Sequence, residues 1–240
     1  MNMKNIALIF AGGTGQRMNS KSKPKQFLEL HEKPILVYTL ERFQDCDAID
    51  GIVLVSLKDW IGYCYELVER YKLSKVKTIV AGGSSGQESI YNGLCAAGKE
   101  YPDEAVVLIH DGVRPLINED TILRAIDCTR QYHSAITVTP AIETITTDAV
   151  DNKVGTIIDR SKCMLARAPQ CFYLSEILEA HRKAIKDGLS FIDSASMMQH
   201  YGHDLYTVVG PVENIKITTP EDFYIFRAMI DAKENKQFLE

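Results

Sequence analysis

Ile6-Ala7-Leu8-Ile9-Phe10-Ala11-Gly12-Gly13-Thr14-Gly15-Gln16-Arg17-Met18, continued by Lys23-Pro24-Lys25-Gln26-Phe27, decides how this chain folds. A short apolar run breaks off into a glycine-rich turn. The run is too short for a helix and apolar enough for a buried strand. Without Cβ atoms at positions 12, 13 and 15, the turn's amides can approach a ligand closely and form an anion nest. Arg17 and Lys25 add two cations, and Pro24 stiffens the approach to the second. The chemical reading is a cradle for a polyphosphate; the alternative is an ordinary strand-to-helix turn with two surface cations. Two other phosphate patterns are excluded. A dinucleotide fingerprint needs glycine where Met18 stands, and a P-loop needs Gly-Lys-Ser/Thr closing the turn.

Outward from this stretch, strands and helices alternate. Helices are expected over 34–42, 59–71, 88–98 and 120–132, and strands over 51–56, 76–80, 105–110 and 135–139. The strands read as continuous apolar runs, so the expected fold class is α/β, with a mostly parallel sheet covered by helices on both faces. Ligands of such sheets sit outside the carboxyl ends of the strands. The distinctive turns fall there: Ala11 to Gly15, Ala81 to Ser89, and His110 to Pro115. The pattern changes between about 143 and 171. Thr144 to Thr147 and Val154 to Ile158 are β-rich pieces around a polar turn, Asp148 to Asn152, which implies a projecting β-hairpin arm. Helices return at 174–187 and 194–201, and short strands are expected at 205–209 and 215–217. Thr219-Pro220-Glu221-Asp222 opens the last helix, with a capping threonine, proline at the first position and acids in the first turn.

The 240 residues suit a single domain, expected over 1–240 with the arm as its appendage. A net charge of −5 argues against nucleic acid or an anionic membrane as partner, so any phosphate site must be locally basic. No apolar run approaches transmembrane length, and no signal peptide is expected. The six cysteines lie far apart, with no Cys-x-x-Cys, which suits free thiols in a reducing cytoplasm.

The Gly-Gly-x-Gly-x-Arg-Met turn followed by Pro-Lys-Gln resembles the nucleotidyltransferase signature, and in particular that of CTP-dependent polyol-phosphate cytidylyltransferases. Four further stretches support the resemblance from Ile6 to Ala228: Gly82 to Ser89, His110-Asp111-Gly112-Val113-Arg114-Pro115, Ala168-Pro169-Gln170-Cys171-Phe172, and Asn214-Ile215-Lys216. It implies a Rossmann-like domain that joins CTP to a small polyol phosphate, releasing pyrophosphate. Such a reaction brings two polyanions together, so catalysis is mainly positioning and charge neutralisation. The resemblance assigns catalysis to Arg17, Lys25 and Lys216. It places Ala11, Gly12, Gly13, Gly15, Gly83, Ser89 and Asp111 against the nucleotide, and Mg2+ on Asp111 and Glu213. Taken alone, Arg17, Lys25 and Lys216 would read as surface cations, and Asp111 as a turn residue ahead of Gly112. Arg114 reads as a brace for its loop.

Two departures from the family stand out. Gly86 replaces the usual arginine of the base-recognition loop, and Glu213 stands where many relatives carry Asp. The resemblance also implies a homodimer in which the arm's Thr144 and Arg160 reach the partner's polyol phosphate. Two substrates compete, D-ribitol 5-phosphate of wall or capsule synthesis and 2-C-methyl-D-erythritol 4-phosphate of isoprenoid synthesis. Ser56 to Trp60 and Lys216 to Pro220 favour the ribitol branch. A non-catalytic nucleotide-binding protein is the alternative from a different class.

Overall fold

The structure, a computed structural model, describes residues 3–13, 23–147 and 153–234. Gly15 and Arg17, and the expected polar turn of the arm, lie outside the described residues. The chain begins with β1 (Asn5–Ala11), a two-residue hairpin of β2 (Glu29–Leu30) and β3 (Lys33–Pro34), and α1 (Ile35–Gln44). Alternation follows through β4 (Gly51–Ser56), α2 (Ile61–Arg70), β5 (Val76–Ala81), α3 (Gly86–Glu100), β6 (Val106–Asp111), α4 (Glu119–Tyr132) and β7 (Ser134–Pro140). A short pair, β8 (Ile145–Thr146) and β9 (Ile157–Ile158), precedes β10 (Met164–Tyr173), α5 (Leu174–Asp187), α6 (Ser194–His200), β11 (Thr207–Val209) and α7 (Pro220–Glu234).

Seven strands form one sheet in the order β11-β7-β10-β6-β1-β4-β5. β1 lies near its middle and runs parallel to β4 and β6. Alternate β1 side chains serve two cores, because successive Cβ atoms point to opposite faces. Ala7, Ile9 and Ala11 join the core under α1, α2 and α4. Ile6 and Leu8 join the core under α3, α5 and α6. This two-sided burial explains why the strands are apolar throughout.

Two expectations need correction. The segment 143–171 is not all arm. β8 and β9 pair as a hairpin, but Met164–Tyr173 is a ten-residue strand inserted antiparallel between β6 and β7. Its exposed start, without period-two alternation, and its proline hid it from a reading based on local pattern. Residues 215–217 are not a strand; the Ile217 amide donates once, to the Val113 carbonyl at 2.9 Å. The last helix begins at Pro220 as expected, and the Thr218 and Thr219 amides donate to Asp222 Oδ2 at 2.8 and 2.9 Å.

Candidate active site at the carboxyl edge of the sheet

Parallel register brings the informative turns level. Ala11 is opposite Ser56, Ser56 is opposite Ala81, and Phe10 is opposite Asp111. The glycine-rich turn, the Gly82–Ser89 loop and the His110–Pro115 loop therefore leave the same sheet edge side by side.

The first two loops interlock through Ser89. Its buried Oγ accepts from the Gly83 amide at 3.0 Å and donates to the Ser85 carbonyl at 2.8 Å. A Cβ at Gly82 would stand 2.8 Å from that oxygen, too close without a shift, and one at Gly12 would crowd it at 3.2 Å, so both turns approach Ser89 closely. Ser89 thus holds the loop in shape from within. Ser85 caps α3 by accepting from the Glu88 amide. Gly86, the departure from the family, begins this helix and lines the cleft. Gln87 ties the same loop across to the segment before α6, donating to the Leu189 carbonyl and accepting from the Phe191 amide.

Lys25 is buried in a one-turn helix, Lys25–Phe27, and its Cε would lie 3.9 Å from a Cβ at Gly13. Two neighbours hold this turn. Gln26 Nε2 donates to the Ala11 carbonyl at 2.6 Å, and Phe27 stacks on Trp60 with ring centroids 4.6 Å apart. A solvated lysine needs no such anchoring. Sequence reading treated Gln26 as part of a motif and missed this role; a glutamine flanked by apolar and glycine-rich segments was the available signal.

Asp111 is the electrostatic centre. Lys216 Nζ lies 2.5 Å from Oδ1, and Arg114 Nε lies 2.7 Å from Oδ2. Burial alone would raise the Asp111 pKa, but the charges and hydrogen bonds of Lys216 and Arg114 outweigh it and hold it at about 2. The carboxylate is therefore ionised at any physiological pH. Lys216 reaches it because the next residue, Ile217, is fully buried against α1 and α7, which turns its neighbour the other way. Arg114 Nη1 also donates to the Asn214 carbonyl at 2.9 Å, so it braces the loop as the sequence suggests. His110 is buried, with its Nε2 on the Arg114 carbonyl; burial lowers its pKa to about 4 and keeps it neutral.

A cleft of about 300 Å³ opens here, lined among others by Phe10, Gly86, Asp111, Arg114, Arg167 and Lys216. Glu213 is exposed on the turn before Asn214, and no three metal-ligating side chains cluster among the described residues. Thr144 and Arg160 are exposed on the arm and do not line their own subunit's cleft. Arg160 Nη1 donates to the Ile142 carbonyl at 2.8 Å.

Arg167 lines the cleft and was not foreseen, because it falls within the segment read as arm. It sits where β10 bulges: Ala166 is opposite Val138, but Gln170 is opposite Ile136. The bulge satisfies its backbone with side chains. Thr137 Oγ1 donates to the Pro169 carbonyl at 2.8 Å, and Asn214 Nδ2 donates to the Ala168 carbonyl at 2.7 Å. Bulges of this kind re-aim side chains beside active sites.

Comparison with known proteins agrees with this geometry. Residues 5–232 match the family 2-C-methyl-D-erythritol 4-phosphate cytidylyltransferase. The chain is 52% identical over 236 residues to a ribitol-5-phosphate cytidylyltransferase of Streptococcus agalactiae serotype V, covering 98% of both chains. It is 41% identical over 229 residues to a 2-C-methyl-D-erythritol 4-phosphate cytidylyltransferase of Clostridium novyi, covering 95% of this chain and 97% of that one. A crystal structure of 4-diphosphocytidyl-2C-methyl-D-erythritol synthase from Anaerococcus prevotii superposes with a TM-score of 0.81 at 27% identity, over 95% of this chain and 96% of the other. Matched by the family model over 5–232 and by relatives and a solved structure across nearly its whole length, this chain belongs to the 2-C-methyl-D-erythritol 4-phosphate cytidylyltransferase (IspD) family and is a nucleotidyltransferase.

Proposed function

We propose that this enzyme transfers the cytidylyl group of CTP to D-ribitol 5-phosphate, giving CDP-ribitol and pyrophosphate, within a single domain over 1–240. The choice of polyol rests on one observation: 52% identity to a full-length ribitol-5-phosphate enzyme against 41% to a methylerythritol one. A phosphate oxygen of the polyol phosphate attacks the α-phosphorus of CTP. A new P–O bond forms while the bond from the α-phosphorus to the α,β-bridging oxygen breaks, and its electron pair leaves with pyrophosphate. The dianionic monoester already carries the nucleophilic charge, so no general base is needed.

Catalysis then rests on cations aimed at the phosphates. Lys25 and Arg17 stabilise charge at the α-phosphorus and the leaving group, and Lys216 aligns the incoming phosphate. Ala11, Gly12, Gly13, Gly15 and Gly83 bring backbone close to the nucleotide, and Ser89 holds that loop in shape. Asp111 is ionised and lines the cleft; each of its oxygens already accepts from a cation but keeps a second lone pair, enough for Mg2+, which takes one or two carboxylates and completes its shell with phosphate oxygens and water. Asp111 would hold the ion, with Glu213 as second carboxylate, and the ion would neutralise phosphate charge.

The site is completed by a second copy of the chain. The arm and the adjoining start of β10 expose Ile142, Val154, Ile157, Met164 and Leu165, an apolar surface that a partner's arm would cover. Thr144 and Arg160 would then reach the partner's polyol phosphate. The six free thiols suit the cytoplasm. Purified enzyme with CTP, Mg2+ and either polyol phosphate tests the substrate: pyrophosphate release with D-ribitol 5-phosphate at least tenfold faster is expected, and preference for 2-C-methyl-D-erythritol 4-phosphate would reverse the assignment.

A further inference from the structure

Charge around the cleft is unbalanced. Lys216 and Arg114 share one carboxylate, Asp111. Arg167 stands close by with no carboxylate of its own among the described residues. Its Nε donates to Thr139 Oγ1 at 3.0 Å, and its Nη1 donates to the Asn214 carbonyl at 3.0 Å. Arg114 donates to that same carbonyl at 2.9 Å, so two guanidiniums converge on one neutral oxygen. Burial, and then the Arg114 charge, lower the Arg167 pKa, a sign of a cation held where it is disfavoured. The other cleft carboxylate, Asp193, is engaged as the cap of α6 and as acceptor from Gln170.

We propose that Arg167 is the phosphate seat for the polyol phosphate contributed by the same subunit, acting with Lys216 across the cleft from the arginine of the partner's arm. This rests on the polyol-phosphate reading above. Two structural features support it. The bulge in β10 takes Arg167 out of the ladder and fixes its stem, which pre-organises the guanidinium. Two of its donors are held by Thr139 and Asn214, and Nη2 has no protein partner among the described residues. A dianionic phosphate supplies the counter-charge that the cluster lacks, through the charge-assisted bonds that a guanidinium forms best.

Arg167→Ala and the stem-preserving Arg167→Gln should each raise the KM for D-ribitol 5-phosphate about tenfold or more. The KM for CTP should stay within about twofold, and Arg167→Lys should recover part of the loss. Calorimetry of D-ribitol 5-phosphate in the presence of a CTP analogue carrying a methylene between the α- and β-phosphorus should show the same weakening without turnover. An unchanged KM for the polyol phosphate, or equal losses for CTP and polyol phosphate with a lowered thermal midpoint, would mark Arg167 as a brace for the bulge and overturn the seat. If the wild type does not turn over D-ribitol 5-phosphate, the substrate reading fails separately. The seat is then decided by inorganic phosphate in the same calorimeter: weaker binding by Arg167→Gln than by the wild type supports it, and equal binding refutes it.

Discussion

Lys25 and Asp111 are both buried charges at this sheet edge, held there by different means. Lys25 is buried by a turn anchored elsewhere, so Lys25→Ala removes a positioned cation while Gln26 and Phe27 still hold the loop. Its kcat should fall about 100-fold or more with a thermal midpoint close to the wild type, a loss of the size seen when one transition-state donor is removed. Asp111→Asn takes away Arg114's counter-charge in a largely buried place and leaves it only neutral acceptors such as the Asn214 carbonyl, while Lys216, with a side chain 41% exposed, can rehydrate. A stability loss of about 2 kcal/mol is expected in urea titration, below the full cost of breaking a buried pair, together with a weakened Mg2+ dependence. An unchanged metal titration would remove Asp111 from the metal site. His181 makes a different statement. It is buried on the cleft wall with neither ring nitrogen partnered among the described residues, and burial holds its pKa at about 4 against an ordinary 6.5. Between those values the unfolded chain takes up a proton that the folded chain refuses, so stability falls as pH drops through that window and is fully present above it. Unfolding free energies at pH 7 and pH 5, from urea titration, should differ by about 2 kcal/mol more for the wild type than for His181→Leu.

At the scale of elements, the hairpin arm and β10 are consecutive in sequence but differ in what holds them. β8 and β9 share a two-residue ladder, too little to stand alone in water. β10 is held on both edges by β6 and β7. A charge in the arm should therefore leave the fold intact and act on association. Ile157→Asp is expected to sediment as a monomer at concentrations where the wild type is a dimer, with far-ultraviolet circular dichroism unchanged. A variant that stays dimeric would show that the exposed apolar face of the arm is not the contact.

At the scale of the whole molecule, an active site shared between subunits makes a prediction that a self-contained one does not. Arg160→Ala and Lys25→Ala should each be nearly inactive on D-ribitol 5-phosphate. Mixed and allowed to exchange subunits, they should regain up to about a quarter of wild-type activity, because half of a random population is mixed dimers with one intact site each. No recovery after proven exchange would place Arg160 outside the partner's site.

Much of this was legible in the chain itself. Local pattern determined the alternating strands and helices, since a strand buried on both faces must be apolar throughout, as Ile6 to Ala11 is. The same run and its glycines marked the edge of the sheet where phosphates would bind, and Thr219-Pro220 marked the start of the last helix. Tertiary structure alone decided three other matters. It placed β10 inside the sheet, antiparallel, because its partners are far away in sequence and its own stretch, interrupted by Arg167 and Pro169, shows no strand alternation. It brought Lys216 onto Asp111 across more than a hundred residues, through the burial of Ile217 beneath the loop. It also turned Arg167 to the cleft, through a bulge whose backbone is satisfied by Thr137 and Asn214, side chains that no local spacing could have assigned to it. Periodicity reports which face of an element is buried; it does not report which distant residue meets that face, and the candidate site is made of such meetings.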